Sequence, residues 1–111
     1  MTLLYLNSDK MGDGDAVLGG KLLRSFLNEL EKSGKQVDLI GCVNSGINLT
    51  TEGSEVIEIL QKFEGKGTRI ASCGTCLDHY QKRDKLLIGE VGTMDQTVEI
   101  MFGAEKVIRP N

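Results

Sequence analysis

The chain has 111 residues, one domain's worth of protein, since domains cluster near ~100–150 residues; residues 1–111 read as a single domain. Its 40% apolar and 26% charged residues exclude disordered, collagenous and low-complexity chains. A formal charge of −3, with no Lys/Arg stripe and only 5% aromatics, argues against nucleic acid or an anionic membrane surface as a partner.

In chain order, Thr2 to Leu6 is a nearly unbroken apolar run, as in a strand buried on both faces. Gly12-Asp13-Gly14-Asp15 breaks it. From Ala16 to Lys32, Leu18, Leu22 and Phe26 recur every four residues, and Leu23, Leu27 and Leu30 fill the same stripe, predicting a helix. Asp15 is its expected N-cap and Gly34 its stop. Val37 to Val43 reads as the second strand, ending in an Asn44-Ser45-Gly46 loop. A second helix is expected over Ser54 to Glu64, with Val56, Leu60 and Phe63 on one face. Thr68 to Ser72 is a third strand running into Cys73-Gly74-Thr75-Cys76, and the spacing of Thr75 and Asp78 predicts a short helix there. Leu86-Leu87-Ile88 is the expected fourth strand. Thr93 and Gln96 form a capping box opening a helix with Met94, Val98, Met101 and Phe102 inward. Val107-Ile108 closes the chain as a last strand.

This alternation predicts an α/β fold, with right-handed crossovers, a mostly parallel sheet of about five strands and helices on both faces. Loops that follow strands then emerge at the carboxyl edge, where open α/β sheets hold ligands. Three of them carry the chemistry-bearing residues: Ser8 to Asp15, Asn44 to Thr51 and Cys73 to His79. No apolar run approaches the ~20 residues of a membrane span. No secretory leader is recognisable, so the cytoplasm is the expected compartment. Three Cys suit reduced thiols better than a disulfide scaffold.

Cys73-Gly74-Thr75-Cys76 at a strand-to-helix junction is the strongest chemical signal. A free thiol has a pKa of ~8.5, and a helix N-terminus or a CXXC setting lowers it to ~3.5–7.5. Gly74 permits the tight bend that lets both sulfurs reach one locus, with Thr75 between them. One Cys can attack or carry a sulfur atom while the other resolves it as a disulfide. Redox chemistry and sulfur handling both fit the motif. A zinc site needs four ligands, and only Cys42 and His79 remain to complete one; an iron–sulfur cluster wants four Cys. No metal or other cofactor is therefore expected. Inert core cysteines are a further alternative. Thioredoxin fits poorly, because the motif follows the third strand and Pro110 lies too late to face the thiols.

Gly12-Asp13-Gly14 does not make a dinucleotide loop: Val17 stands at the third fingerprint position, and Asp9, Asp13 and Asp15 would repel a pyrophosphate. Asp9 or Asp15 can instead sit near the thiols across the sheet edge. Cys42 reads as core. His79, three residues after Cys76, is a candidate base or proton donor. Asn44, Ser45 and Asn48 are candidate hydrogen-bond donors to a bound sulfur species.

Asn44-Ser45-Gly46, Glu52-Gly53-Ser54-Glu55-Val56, Ser72-Cys73-Gly74-Thr75-Cys76-Leu77-Asp78-His79-Tyr80 and Gly89-Glu90-Val91, in that order, resemble the DsrE/DsrF-like family over essentially the whole chain. Its closest branch is the carboxyl-terminal domain of the YedF-like, sulfurtransferase-like selenium metabolism proteins. The resemblance implies a three-layer α/β/α sandwich around a five-stranded parallel sheet, often assembled as homo-oligomeric trimers or hexamers. It also implies a persulfide carried on Cys73, with Cys76 as partner, and thus a sulfurtransferase-like relay of sulfur or selenium. YedF-like chains add an amino-terminal TusA-like sulfur-carrier domain, which implies such a carrier as the expected partner, either as a domain of a longer chain or as a protein acting in trans. The alternatives are a non-catalytic oligomeric module that binds a small ligand or a carrier protein, and a dithiol/disulfide redox protein.

Overall fold

The computed structural model describes residues 1–111. Its regular elements are β1 (Thr2–Leu6), α1 (Ala16–Lys32), β2 (Leu39–Cys42), a 3-10 helix (Asn44–Leu49), α2 (Ile57–Gly65), β3 (Arg69–Cys73), α3 (Gly74–His79), a 3-10 turn (Arg83–Lys85), β4 (Glu90–Gly92), α4 (Met94–Gly103) and β5 (Lys106–Ile108). The five strands form one sheet in the order β4-β3-β2-β1-β5, and every pairing is parallel. The α/β fold class expected from the sequence is what the structure has.

Strand order explains the layers. The chain steps one way from β1 to β4 and then crosses back over the sheet to β5. Right-handed crossovers in opposite directions place their helices on opposite faces. One face carries the main core: Leu4, Leu6, Ile40, Cys42 and Ile70 of the sheet pack with Leu23 and Leu27 of α1, Leu60 and Phe63 of α2, and Leu77 of α3. On the other face α4 lies alone. Leu3 and Leu39 are buried there, outside the main cluster, and line a small space with Ile100 of α4.

Local chemistry sets the boundaries. The Asp15 carboxylate accepts from the Leu18 N–H at 2.8 Å, the expected N-cap, and Gly34 follows α1 at φ 71°. The Thr93–Gln96 capping box opens α4. At Gly46 a Cβ would lie 2.3 Å from the Leu6 carbonyl oxygen. Only glycine lets the 3-10 helix press against the end of β1.

Four expectations are corrected. The fourth strand is Glu90–Gly92, not Leu86 to Ile88. Leu86 instead makes an isolated antiparallel bridge with Thr51, and the Leu87 N–H donates to the Thr50 carbonyl at 2.9 Å. That backbone is engaged by the loop over the sheet, and Ile88 supplies core. The Asn44 loop continues into a 3-10 helix. In α1 it is Leu23 and Leu27 that are buried, while Leu18 and Leu22 face outward. Finally, α4 buries no residue completely: Met94, Val98 and Phe102 are exposed, Phe102 by 90%, and Met101 is half-buried. The sheet beneath α4 needs only one ridge of the helix, so the rest of its apolar surface points away.

Candidate functional site

In an open parallel sheet, ligands bind where the connections leaving adjacent strands diverge to opposite faces. Here β3 leads into α3 on the main-core face and β4 leads into α4 on the other. Their carboxyl ends are neighbours, with Cys73 paired to Gly92. The divergence therefore falls at the cysteine motif.

Cys73 is the last residue of β3 and the N-cap of α3, and Cys76 lies one turn further on. Both thiols are free and half-buried. The Asn44 backbone N–H donates to the Cys76 sulfur at 3.1 Å, while the Asn44 side-chain oxygen accepts from the Tyr80 hydroxyl at 3.0 Å. Asn44 stands at φ 52°, a left-handed conformation that Asn tolerates better than most residues. Its two hydrogen bonds thus tie the loop after β2 to both ends of α3. Burial pushes the Cys76 thiol above its ordinary value near 9. The Asn44 N–H opposes that shift, and the hydrogen bond and charge of Cys73 add to it. For Cys76, burial outweighs the thiolate-favouring helix setting expected from the sequence.

The other candidates fall into place around this pair. Gly74 is buried, and a Cβ there would come within 2.8 Å of the Arg83 guanidinium and 3.0 Å of Val91. Arg83 makes a two-pronged contact with Asp78, at 2.7 and 3.1 Å, and holds that carboxyl below the usual range. Thr75 and His79 are exposed, and the His79 ring meets Tyr80 edge-on at 5.2 Å. Asp9, Ser45 and Asn48 form a brace among themselves: the Ser45 hydroxyl accepts from the Asp9 N–H at 3.2 Å, and Asn48 donates to the Asp9 carboxylate at 3.0 Å. Lys82 donates to Asn48 at 2.7 Å. Burial alone would raise the Asp9 carboxyl, but bonds from Asn48 and Lys10 hold it below its ordinary value. Asp15 is engaged as the cap of α1. Cys42 packs in the main core, where burial pushes its thiol up to about 12. No three His, Cys, Asp or Glu side chains converge, so Cys42 and His79 do not complete a ligand set with the motif.

Sequence reasoning missed two residues. Burial raises the Tyr5 phenol above its ordinary value near 10; Arg109 pulls it down, and both site thiols push it up. Tyr5 and Arg109 therefore belong to the electrostatic surroundings of the pair. The available signal was a lone aromatic in an otherwise leucine-rich first strand, one residue from its carboxyl end. Arg109 gave none until β5 was known to lie beside β1. Against Cys73 there is also a partly open cleft whose lining includes Leu3, Tyr5, Ala71, Thr93, Gln96 and Ile100. A wider groove of about 550 Å³ runs along α1, past Asp9, Lys10, Lys21, Arg24 and Glu55. Its lining includes neither site thiol.

The fold and site together define an open, all-parallel α/β domain with a dithiol at the divergence of its crossovers. Solved structures share that fold. MTH1491 from Methanobacterium thermoautotrophicum, a protein of unknown function, superposes with a TM-score of 0.71 at 23% identity, covering 98% of this chain and 97% of that one. The ychN protein from E. coli gives 0.70 at 15% identity, with 97% of each chain covered. BT1422 from Bacteroides thetaiotaomicron, a conserved protein of unknown function, gives 0.65 at 16% identity, covering 97% and 93%. The chain thus has the DsrE/YchN-like α/β fold. No protein-family model and no curated protein matches its sequence.

Proposed function

We propose that this protein relays sulfur or selenium, carrying it as a persulfide (or its selenium counterpart) on Cys73. The observation that carries this reading is the pair of free, half-buried thiols at the divergence of the crossovers, with Cys76 held by the Asn44 N–H at 3.1 Å. The Cys73 thiolate attacks the outer sulfur of a donor persulfide; the Cys73 S–S bond forms, the donor S–S bond breaks, and the donor leaves as a thiolate. Cys76, once deprotonated, attacks the inner sulfur of that persulfide, giving a Cys73–Cys76 disulfide and releasing hydrosulfide. Attack on the outer sulfur passes the atom to Cys76 instead. The kinship to YedF-like carboxyl-terminal domains and a TusA-like carrier as donor or acceptor belong to the same proposal. So does a reducing, cytoplasmic setting; no helix is long and apolar enough to cross a membrane.

Intact mass spectrometry after exposure to inorganic polysulfide tests the reading. The wild type is expected to gain one sulfur, mapped by peptide analysis to Cys73, and Cys73→Ser to gain none there. Sulfur mapping only to Cys42 would sink the mechanism.

A second reading, an oligomeric binding module, is favoured by the exposed apolar ridge of Met94, Val98 and Phe102 on α4. A homo-oligomer, trimer or hexamer, is compatible with both readings.

A further inference from the structure

Only two non-glycine residues of the chain take a left-handed backbone, Asn44 at φ 52° and Gln81 at φ 56°. Outside glycine such conformations cost energy and cluster where a site demands them. These two stand at either end of one hydrogen-bonded unit. Gln81 closes α3 as a Schellman motif: its N–H donates to the Asp78 carbonyl at 3.0 Å, and the Lys82 N–H to the Leu77 carbonyl at 2.7 Å. That turn fixes Tyr80, the residue before it, whose hydroxyl donates to the Asn44 side-chain oxygen at 3.0 Å. Asn44 opens the 3-10 helix, so its own N–H has no carbonyl within that helix to serve. It donates to the Cys76 sulfur at 3.1 Å instead. Sulfur accepts weakly as a thiol and more strongly once charged, so this bond favours the Cys76 thiolate that burial resists.

We propose that Tyr80 is a positioning residue: through the Asn44 side chain it holds the Asn44 N–H on the Cys76 sulfur, making Cys76 the thiol that discharges sulfur from Cys73. The proposal rests on the relay reading above and adds what governs its second step. Cys76 first gives its proton to solvent. Its thiolate then attacks the inner sulfur of the Cys73 persulfide; the Cys73–Cys76 S–S bond forms, the bond to the outer sulfur breaks, and that sulfur leaves as hydrosulfide. No oxidant or reductant is consumed. Loading of Cys73 comes earlier and does not involve Cys76, so the clamp acts on discharge alone.

Breaking the clamp from each side tests this. Tyr80→Phe removes one hydroxyl from a side chain that is 38% exposed, and Asn44→Gly keeps the left-handed turn while deleting the acceptor. Wild type, the two single variants, the double variant and Cys76→Ser are loaded with inorganic polysulfide, freed of excess reagent, and followed by intact mass and peptide mapping. Each single variant is expected to load Cys73 at the wild-type rate and then lose the sulfur roughly threefold more slowly. A tenfold smaller thiolate fraction, partly offset by the greater nucleophilicity of a less acidic thiol, gives that factor. Iodoacetamide alkylation of Cys76 at neutral pH should slow by the same factor. Because both residues serve one clamp, the double variant should be no slower than either single one; a roughly ninefold slowing would mean that they act separately and overturn the proposal. Discharge at the wild-type rate in both single variants, or loading slowed as much as discharge, would sink it and leave the relay standing. So would discharge from Cys76→Ser as fast as from wild type. No sulfur on wild-type Cys73 would remove the relay and this proposal together.

Discussion

Cys42 and Cys76 are both pushed toward the protonated thiol, and the difference in their surroundings gives each a separate experimental signature. Cys42 sits fully inside the core, with its thiol pushed up to about 12 by burial alone, whereas in the unfolded chain it titrates near 9. Between those values the unfolded chain has released its proton and the folded chain has not, so stability present below pH 9 is lost as pH rises toward 12. At one pKa unit per ~1.4 kcal/mol, wild type should lose about 2 kcal/mol by roughly pH 10.5 through this group. Urea unfolding under reducing conditions at neutral pH and at that pH should show the loss in wild type. In Cys42→Ala that share of the alkaline loss should be missing, and an identical pH slope in the two proteins would contradict the assignment. Cys76 is raised first by burial and further by Cys73. Its alkylation should therefore reach half-maximal rate above pH 9, and in Cys73→Ser the midpoint should fall while remaining above 9. Peptide-level iodoacetamide kinetics across pH would read this directly. A midpoint below 9 in wild type would mean that the Asn44 N–H outweighs burial.

At the scale of elements, the legible signals were local ones. The caps at Asp15 and Thr93 are chemical and adjacent in sequence, and both helices begin where those residues place them. Rotation about the helix axis was not legible. In α1, two neighbouring apolar stripes exist, and the sheet accepts the one through Leu23 and Leu27, leaving Leu18 and Leu22 outside. Periodicity reveals that a stripe is present but not which neighbour takes it. The fourth strand was misplaced for a related reason. Leu86 to Ile88 is the more apolar run, but an edge strand needs only one neighbour, and polar Glu90, paired with Arg69 at 2.6 Å, serves there. The thiols were legible because their motif is contiguous. Tyr5 and Arg109 were not, because Tyr5 joins the site through the pairing of β1 with β2 and of β2 with β3, and Arg109 through that of β1 with β5. A non-local contact of the same kind governs Gly46, whose Cβ would overlap the Leu6 carbonyl at 2.3 Å. Gly46→Ala must displace the 3-10 helix that carries the Asn44 end of the site. It should cost about 2–4 kcal/mol in denaturant unfolding, at the destabilising end of single substitutions. A loss within about 0.5 kcal/mol would show that this helix yields easily.

Across the whole molecule, the crossover reversal that creates the thiol crevice also leaves two apolar surfaces on opposite faces of the sheet. One is the start of α1, where Val17, Leu18 and Leu22 are 70%, 53% and 45% exposed; the other is α4, where Met94, Val98 and Phe102 are 56%, 50% and 90% exposed. Contiguous exposed apolar residues of this kind mark interaction surfaces. Symmetry limits how copies can use them. If the α4 surface of one copy meets the α1 surface of the next, the contact is heterologous, and where its rotation closes it makes a ring such as a trimer. In that case either Phe102→Asp or Leu18→Asp alone removes half of every contact, and each should yield monomers. If each surface instead pairs with its own copy about a two-fold axis, each single change spares the other contact and should leave dimers, with only the double variant monomeric. Light scattering on the wild type, the two single variants and the double variant separates these outcomes. Closure of a ring would set several copies of the thiol crevice around one axis. Monomeric wild type across the micromolar range would remove the oligomer from both readings and leave each crevice to act alone.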